Sequence, residues 1–66
     1  MIDKNGRKVI FYDKTKDVAI IEDLNSYLIV CRLSINEDIL CFEELIKYSK
    51  SLDYARFVVS YDLLEV

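Results

Sequence analysis

Basic side chains are concentrated at the start of the chain, where they surround Phe11 and Tyr12. Residues 1–16 hold five Lys or Arg against two Asp, whereas residues 17–66 hold four basic and ten acidic side chains. Cations can contact phosphates, and aromatic rings can stack on bases. The candidate nucleic-acid contacts are Arg7, Lys8, Lys14 and Lys16.

The charge of the whole chain argues against that function. Its net charge is −3 and its isoelectric point is about 4.7, whereas nucleic-acid-binding domains typically have values above about 9. We therefore favour a simpler role for these lysines, which is to keep an edge hairpin soluble and to prevent its aggregation. Nucleic-acid binding through this basic hairpin is kept as the alternative function.

Side chains suited to acid–base or nucleophilic catalysis are few. The chain has no histidine, which excludes Ser–His and Cys–His pairs, and its single glycine, Gly6, cannot build a phosphate-binding loop. The acidic pairs Glu22-Asp23 and Glu43-Glu44 are adjacent in sequence, which is too common a pattern to indicate a catalytic dyad or a metal site. We expect no enzyme, no catalytic residue, no cofactor, no metal and no small-molecule substrate.

Two cysteines, Cys31 and Cys41, lack the Cys-x-x-Cys spacing of redox and zinc motifs. The first residues do not have the pattern of a secretory signal. The longest apolar run, residues 27–31, is far shorter than the roughly 20 residues that cross a bilayer. The sequence therefore predicts a cytoplasmic protein with no membrane partner, in which both thiols are reduced and packed as small apolar side chains.

The length of 66 residues predicts a single domain over residues 1–66. A domain of this size hides only about 60% of the surface that its unfolded chain exposes, so its stability is marginal. Hydrophobic residues make up 53% of the chain, which is too many for a disordered protein. We expect a partner surface to supplement the small core.

Three strands are predicted in the first half. Residues 7–13 and 17–22 are β-branched and aromatic runs joined by a short polar connection, the pattern of a β-hairpin. Alternating apolar side chains over residues 27–35 predict a third strand.

A helix and a fourth strand are predicted in the second half. Apolar residues at three- and four-residue steps predict a helix over residues 39–52, with either Ser34 or Asn36 as its N-cap. Alternation over residues 55–61 predicts a strand, and residues 62–66 fit an extension of that strand, a helical turn or a binding tail. The fold class is therefore α+β, a β-β-β-α-β domain with one helix on one face of an antiparallel or mixed four-stranded sheet.

In that fold one face of the sheet carries no helix. Leu28, Val30 and Val58 are expected to point to this open face, and an exposed apolar patch usually marks an interaction surface. The alternative is that sheet twist and the C-terminal residues cover it. Tyr54 and Tyr61 flank the predicted last strand, and tyrosine is enriched in interfaces, so both are added to the candidate protein interface.

These features together predict a small, acidic, non-enzymatic protein-binding module. We expect an inhibitor or adaptor docked on a larger assembly, or a homodimeric accessory protein. The chain is rich in Ile, Lys, Asn, Tyr and Phe and poor in Gly, Ala, Arg and Pro, which suggests an AT-rich coding sequence. Short stand-alone domains of this kind are common in phage genomes, which makes inhibition of a host or defence protein a reasonable role for the inhibitor.

Overall fold

The computed structural model describes residues 1–61, which form one helix and a five-stranded sheet. The strands are β1 (Ile2–Asp3), β2 (Val9–Asp13), β3 (Val18–Asp23), β4 (Ser26–Asn36) and β5 (Ile39–Ser49), and the helix α1 spans Leu52–Ser60. The predicted α+β class, with a single helix on a mixed sheet, is confirmed, although the sheet has five strands where four were predicted. The alternatives for residues 62–66 lie outside the described residues.

The sheet is a meander that curls until its two edge strands meet. The strand order is β1-β5-β4-β3-β2, with antiparallel pairing except between β1 and β5, which are parallel. At the other side of β1, Ile2 forms an antiparallel bridge with Lys8, and the Val9 amide donates to the Met1 carbonyl at 3.0 Å. The first strand therefore joins the last strand to the start of β2.

Strong stagger accompanies this closure. One circuit of paired residues around the sheet passes in turn through Ile39, Ile2, Lys8, Glu22, Tyr27 and Ser49. The circuit starts and ends on β5, ten residues apart, at positions 39 and 49. Tilted, staggered strands are what a small closed sheet requires.

Curling buries both faces of the sheet. The concave face holds one apolar cluster, whose buried members are Ala19, Ile21, Val30 and Leu40. The convex face holds a second cluster, in which the sheet residues Val18, Ile20 and Ile29 pack against the helix residues Ala55, Val58 and Val59. The core therefore has two layers, one inside the curl and one beneath α1.

The helix predicted over residues 39–52 is wrong, because this segment contains strand β5. Along β4, the residue that faces β5 changes from Val30, opposite Leu45, to its neighbour Ile29, opposite Lys47. Ile46 is thus an extra residue that forms a bulge. A bulge shifts the alternation of side chains along a strand, so the apolar residues of β5 fall at steps that imitate a helix.

The strand predicted over residues 55–61 is also wrong, because the chain there is helical. Ser51 caps the helix by accepting a hydrogen bond from the Tyr54 amide at 3.2 Å. The buried residues Ala55, Val58 and Val59 have the three- and four-residue spacing of one helix face. The predicted order of the last two elements is therefore reversed, and β5 and α1 form a strand followed by a helix.

Asn36 ends a strand and does not start a helix. A two-residue turn at Glu37 and Asp38 joins Asn36 to its strand partner Ile39. Both turn residues have left-handed backbones, with φ of 55° and 66°. This geometry matches the twist of hairpin strands and is most often made by Asn-Gly, so the present turn uses two residues that adopt it at a cost.

Candidate protein-interaction surface

The residues expected on an open sheet face do not form an exposed patch. Val30 is fully buried inside the curl, and Leu28 is half-buried against the same cluster. Val58 lies on α1 and is buried against the convex face. The expectation of an open face is thus corrected, because the curvature of the sheet covers one face and the helix covers the other.

Tyr54 and Tyr61 are exposed as expected, but Tyr54 lies on α1 and Tyr61 is the residue that caps the C-terminus of that helix. Phe57 lies between them, and the three side chains are 44%, 48% and 67% exposed from Tyr54 to Tyr61. Their spacing of three and four residues places them along one flank of α1. The rings of Phe57 and Tyr61 are in contact, with centroids 4.8 Å apart. These three residues are called the aromatic stripe.

Phe57 was missed as a surface residue because residues 55–61 were interpreted as a strand. In that interpretation Phe57 shares a face with Ala55 and Val59, both of which are buried. The helical spacing of Tyr54, Phe57 and Tyr61 was the signal that would have found it.

Strand β5 has a long edge that the described part of the chain does not pair. Strand β1 pairs only with Ile39 and Leu40, so within residues 1–61 the remainder of β5 pairs only with β4. Residues 43–48 of this strand are called the β5 edge, and its exposed side chains are Glu43, Glu44, Leu45, Lys47 and Tyr48. Leu45 and Tyr48 are 49% and 63% exposed.

The aromatic stripe and the β5 edge are neighbours. The Lys47 Nζ atom lies 5.5 Å from the centroid of the Tyr54 ring, a cation–π contact. The stripe therefore lies on the flank of α1 nearest β5, and the two features form one continuous surface.

The four candidate nucleic-acid contacts are not equivalent. Arg7 is held by two carboxylates, at 2.8 Å from Asp3 and 3.5 Å from Asp23. The Lys16 Nζ atom donates to the Val59 carbonyl at 3.0 Å, which ties the β2–β3 loop to the end of α1. Lys8 and Lys14 are exposed. Two of the four cations thus stabilise contacts within the chain.

Asp3 is the one buried charged residue among those described. Its Oδ1 accepts from the amides of Asn5 and Arg7 at 2.9 and 2.8 Å, and its Oδ2 accepts from Arg7 Nε at 2.8 Å. Burial raises the pKa of Asp3, but these hydrogen bonds and the guanidinium charge together lower it below its ordinary value. The carboxylate organises the loop between β1 and β2.

Cys31 and Cys41 are both free thiols and half-buried. Burial raises the pKa of Cys31, and the negative charges of Glu44 and Asp17 raise it further. Within residues 1–61 there is no group of three or more Cys, Asp and Glu that could hold a metal ion, and no pocket. In the same part of the chain no helix has the length and apolar character needed to cross a bilayer.

Comparison of the chain with protein-family models, with curated proteins and with solved structures finds no match.

Proposed function

We propose that this chain is a protein-binding module, and that its contact surface is formed by the aromatic stripe together with the β5 edge. The observation that supports the proposal most directly is the stripe, in which three large side chains on α1 and its C-terminal cap stay 44–67% exposed. Isolated exposed apolar residues are ordinary on soluble proteins, but a contiguous patch usually marks an interaction site. The ring contact between Phe57 and Tyr61 makes this patch contiguous.

Two further properties favour a protein as the partner. A strand edge offers unpaired amides and carbonyls, which another polypeptide can satisfy by adding a strand. Tyrosine and phenylalanine are enriched in protein interfaces, where their rings supply large contact areas at a low entropic cost. In this proposal the protein acts by contact, as an inhibitor or adaptor or as a homodimeric accessory protein, and a phage or mobile-element origin accounts for its composition.

The test compares capture of partners by the whole chain and by surface variants. Tagged chain is expected to retain specific proteins from the cells in which it is naturally made, and Phe57→Ser is expected to lose most of them. Leu24→Ser is the matched control, because Leu24 is 95% exposed in the β3–β4 turn, outside this surface. Equal capture by the original chain and by Phe57→Ser would contradict the proposal.

The same samples test the alternative function. Binding to an oligonucleotide at physiological salt that is lost in a Lys8→Glu, Lys14→Glu variant and kept in Phe57→Ser would assign the function to nucleic acid instead.

A further inference from the structure

We infer that the partner on this surface is a second copy of the chain, joined to the first by antiparallel pairing of the two β5 edges. The inference rests on the proposed function, since it names the occupant of the same surface. Each copy contributes the same residues to such an interface, so the surface must be complementary to itself under a two-fold rotation. The charges along the β5 edge meet this requirement.

Opposite charges face each other when the pairing is centred on Leu45. The bulge residue Ile46 adds no paired position, so Glu44 and Lys47 each lie one pair away from Leu45 along the edge. In that register Glu44 of one copy lies opposite Lys47 of the other, and the two-fold axis repeats the pair. Residues directly opposite in an antiparallel pair have side chains close enough to interact, and opposite charges there are favourable. Parallel in-register pairing would instead set Glu43 and Glu44 of one copy against the same carboxylates of the other.

The aromatic stripe is brought to the same interface. Lys47 contacts the Tyr54 ring, so the stripe lies on the side of α1 that a copy paired at β5 would approach. Two stripes then lie on either side of the two-fold axis, where each covers exposed rings of the other. One occupant thereby accounts for both the unpaired edge and the exposed aromatic residues.

The chain has enough surface for this contact. A stable interface takes about 600 to 1,000 Å² from each partner. The accessible surface of this chain is 4688 Å², so a dimer would bury roughly an eighth to a fifth of it. The β5 edge and the aromatic stripe together contain nine residues. Eight of them are exposed and available for that area, and the ninth, Ile46, is half-buried.

Sedimentation equilibrium of the full-length chain over a range of concentrations tests the inference. The expected mass is twice 7.8 kDa, falling toward the single-chain mass on dilution. Lys47→Glu and Glu44→Lys each set like charges opposite each other twice in the dimer, and each is expected to raise the dimer dissociation constant at least about tenfold. Lys14→Glu, an exposed charge reversal in the β2–β3 loop, is the matched control and should leave the constant unchanged.

Complementation gives the sharper result. A mixture of Lys47→Glu with Glu44→Lys gives opposite charges at both pairs and should form a heterodimer, and the double variant Glu44→Lys, Lys47→Glu should dimerise with itself. Circular dichroism checks that each variant is folded. If one single variant does not fold, the dissociation constant of the other still tests the inference.

A single-chain mass at every concentration would overturn the inference. This holds also if the cause is that residues 62–66 occupy the edge. A dimer that is unaffected by both charge reversals would overturn it as well. The proposed function would stand after either result if Phe57→Ser still abolishes capture of another protein. Loss of both the dimer and the stripe-dependent capture would remove the proposed function too.

Discussion

Arg7 Nε donates to Asp3 Oδ2 at 2.8 Å, and the carboxylate that it contacts is 1% exposed. This pair closes the loop between β1 and β2, so the junction at which the curled sheet meets itself depends on one buried charge. Removing a partner from a buried hydrogen-bonded pair leaves the other unsatisfied.

Asp3→Asn is expected to lower the free energy of unfolding at neutral pH by about 1–3 kcal/mol. The folded-state pKa of Asp3 lies below its ordinary value of 3.8, so its stabilising effect is present above that value and is lost as the pH falls through the folded pKa. Urea unfolding at neutral pH and at several pH values below 3.8 measures both effects. The difference in free energy of unfolding between the original chain and the variant should become smaller below pH 3.8. A constant difference would contradict this account.

The two-layered core predicts that neighbouring residues of one strand are equally sensitive. Ile20 and Ile21 are both fully buried, one against α1 and the other inside the curl. Each change to alanine should therefore cost about 2–5 kcal/mol of unfolding free energy, measured by denaturant titration. A sheet with one open face would tolerate one of the two changes with little loss, so a near-neutral Ile21→Ala would contradict the curled fold.

The β4–β5 turn is expected to gain stability from glycine. Asp38 has φ of 66°, a conformation that costs other residues about 1–2 kcal/mol and glycine almost nothing. Asp38→Gly should raise the free energy of unfolding by about 0.5–1 kcal/mol after the extra chain entropy of glycine is subtracted. Ser34→Gly, at an exposed strand position of the same hairpin, is the control and should lower it. Stabilities that move in the same direction would contradict the turn geometry.

The Cys31 thiol is expected to be a weak nucleophile near neutral pH. Burial and the charges of Glu44 and Asp17 raise its pKa, which reduces the fraction of thiolate. In a Cys41→Ser background, iodoacetamide should modify Cys31 more slowly than a free cysteine, and Glu44→Gln should speed the reaction. The pH dependence of the rate gives the pKa directly, and a rate unchanged by Glu44→Gln would show that this charge has no effect.

Most of the first half of the fold could be predicted from sequence, although the two-residue strand β1 was not. The hairpin predicted over residues 7–13 and 17–22 corresponds to β2 (Val9–Asp13) and β3 (Val18–Asp23), and the alternation over residues 27–35 lies within β4. Strands β3 and β4 pair with each other without a register shift. The interruptions lie elsewhere, at the start of β2 between Val9 and Phe11 and before Leu33, which packs on the same side of β4 as Leu28 and Val30. Periodicity is reliable where side chains point regularly to two faces.

The second half could not be predicted in the same way, for two physical reasons. The Ile46 bulge breaks the alternation of β5, so spacing there no longer distinguishes a strand from a helix. The polar residues Asn36, Glu37 and Asp38 also suit either a helix start or a tight turn. The choice between them is made by long-range pairing of β5 with β4, which a local pattern does not contain.

The candidate surface was found only in part for a related reason. Tyr54 and Tyr61 were identified from residue type, which does not depend on the element that carries them. Val30 is predicted on an open face because one helix covers only one face of a sheet, and Val58 because residues 55–61 are predicted as a strand. In the structure Val30 is buried inside the curl and Val58 beneath α1. The β5 edge was not predicted, since an unpaired edge is a property of strand order.

Closure of the sheet also sets an order for its assembly. The antiparallel pairs of the meander join strands that are consecutive in sequence, so each can form as a local hairpin. The pairing of Ile2 with Ile39 instead closes a loop of several tens of residues. Only two paired positions are gained to offset the entropic cost of closing this loop. Residues 1–3 should thus be the last to dock and the first to detach during folding and unfolding. Each detachment would lengthen the unpaired edge of β5. The rate at which the N-terminal strand detaches therefore limits how often the part of the sheet most prone to associate is fully exposed.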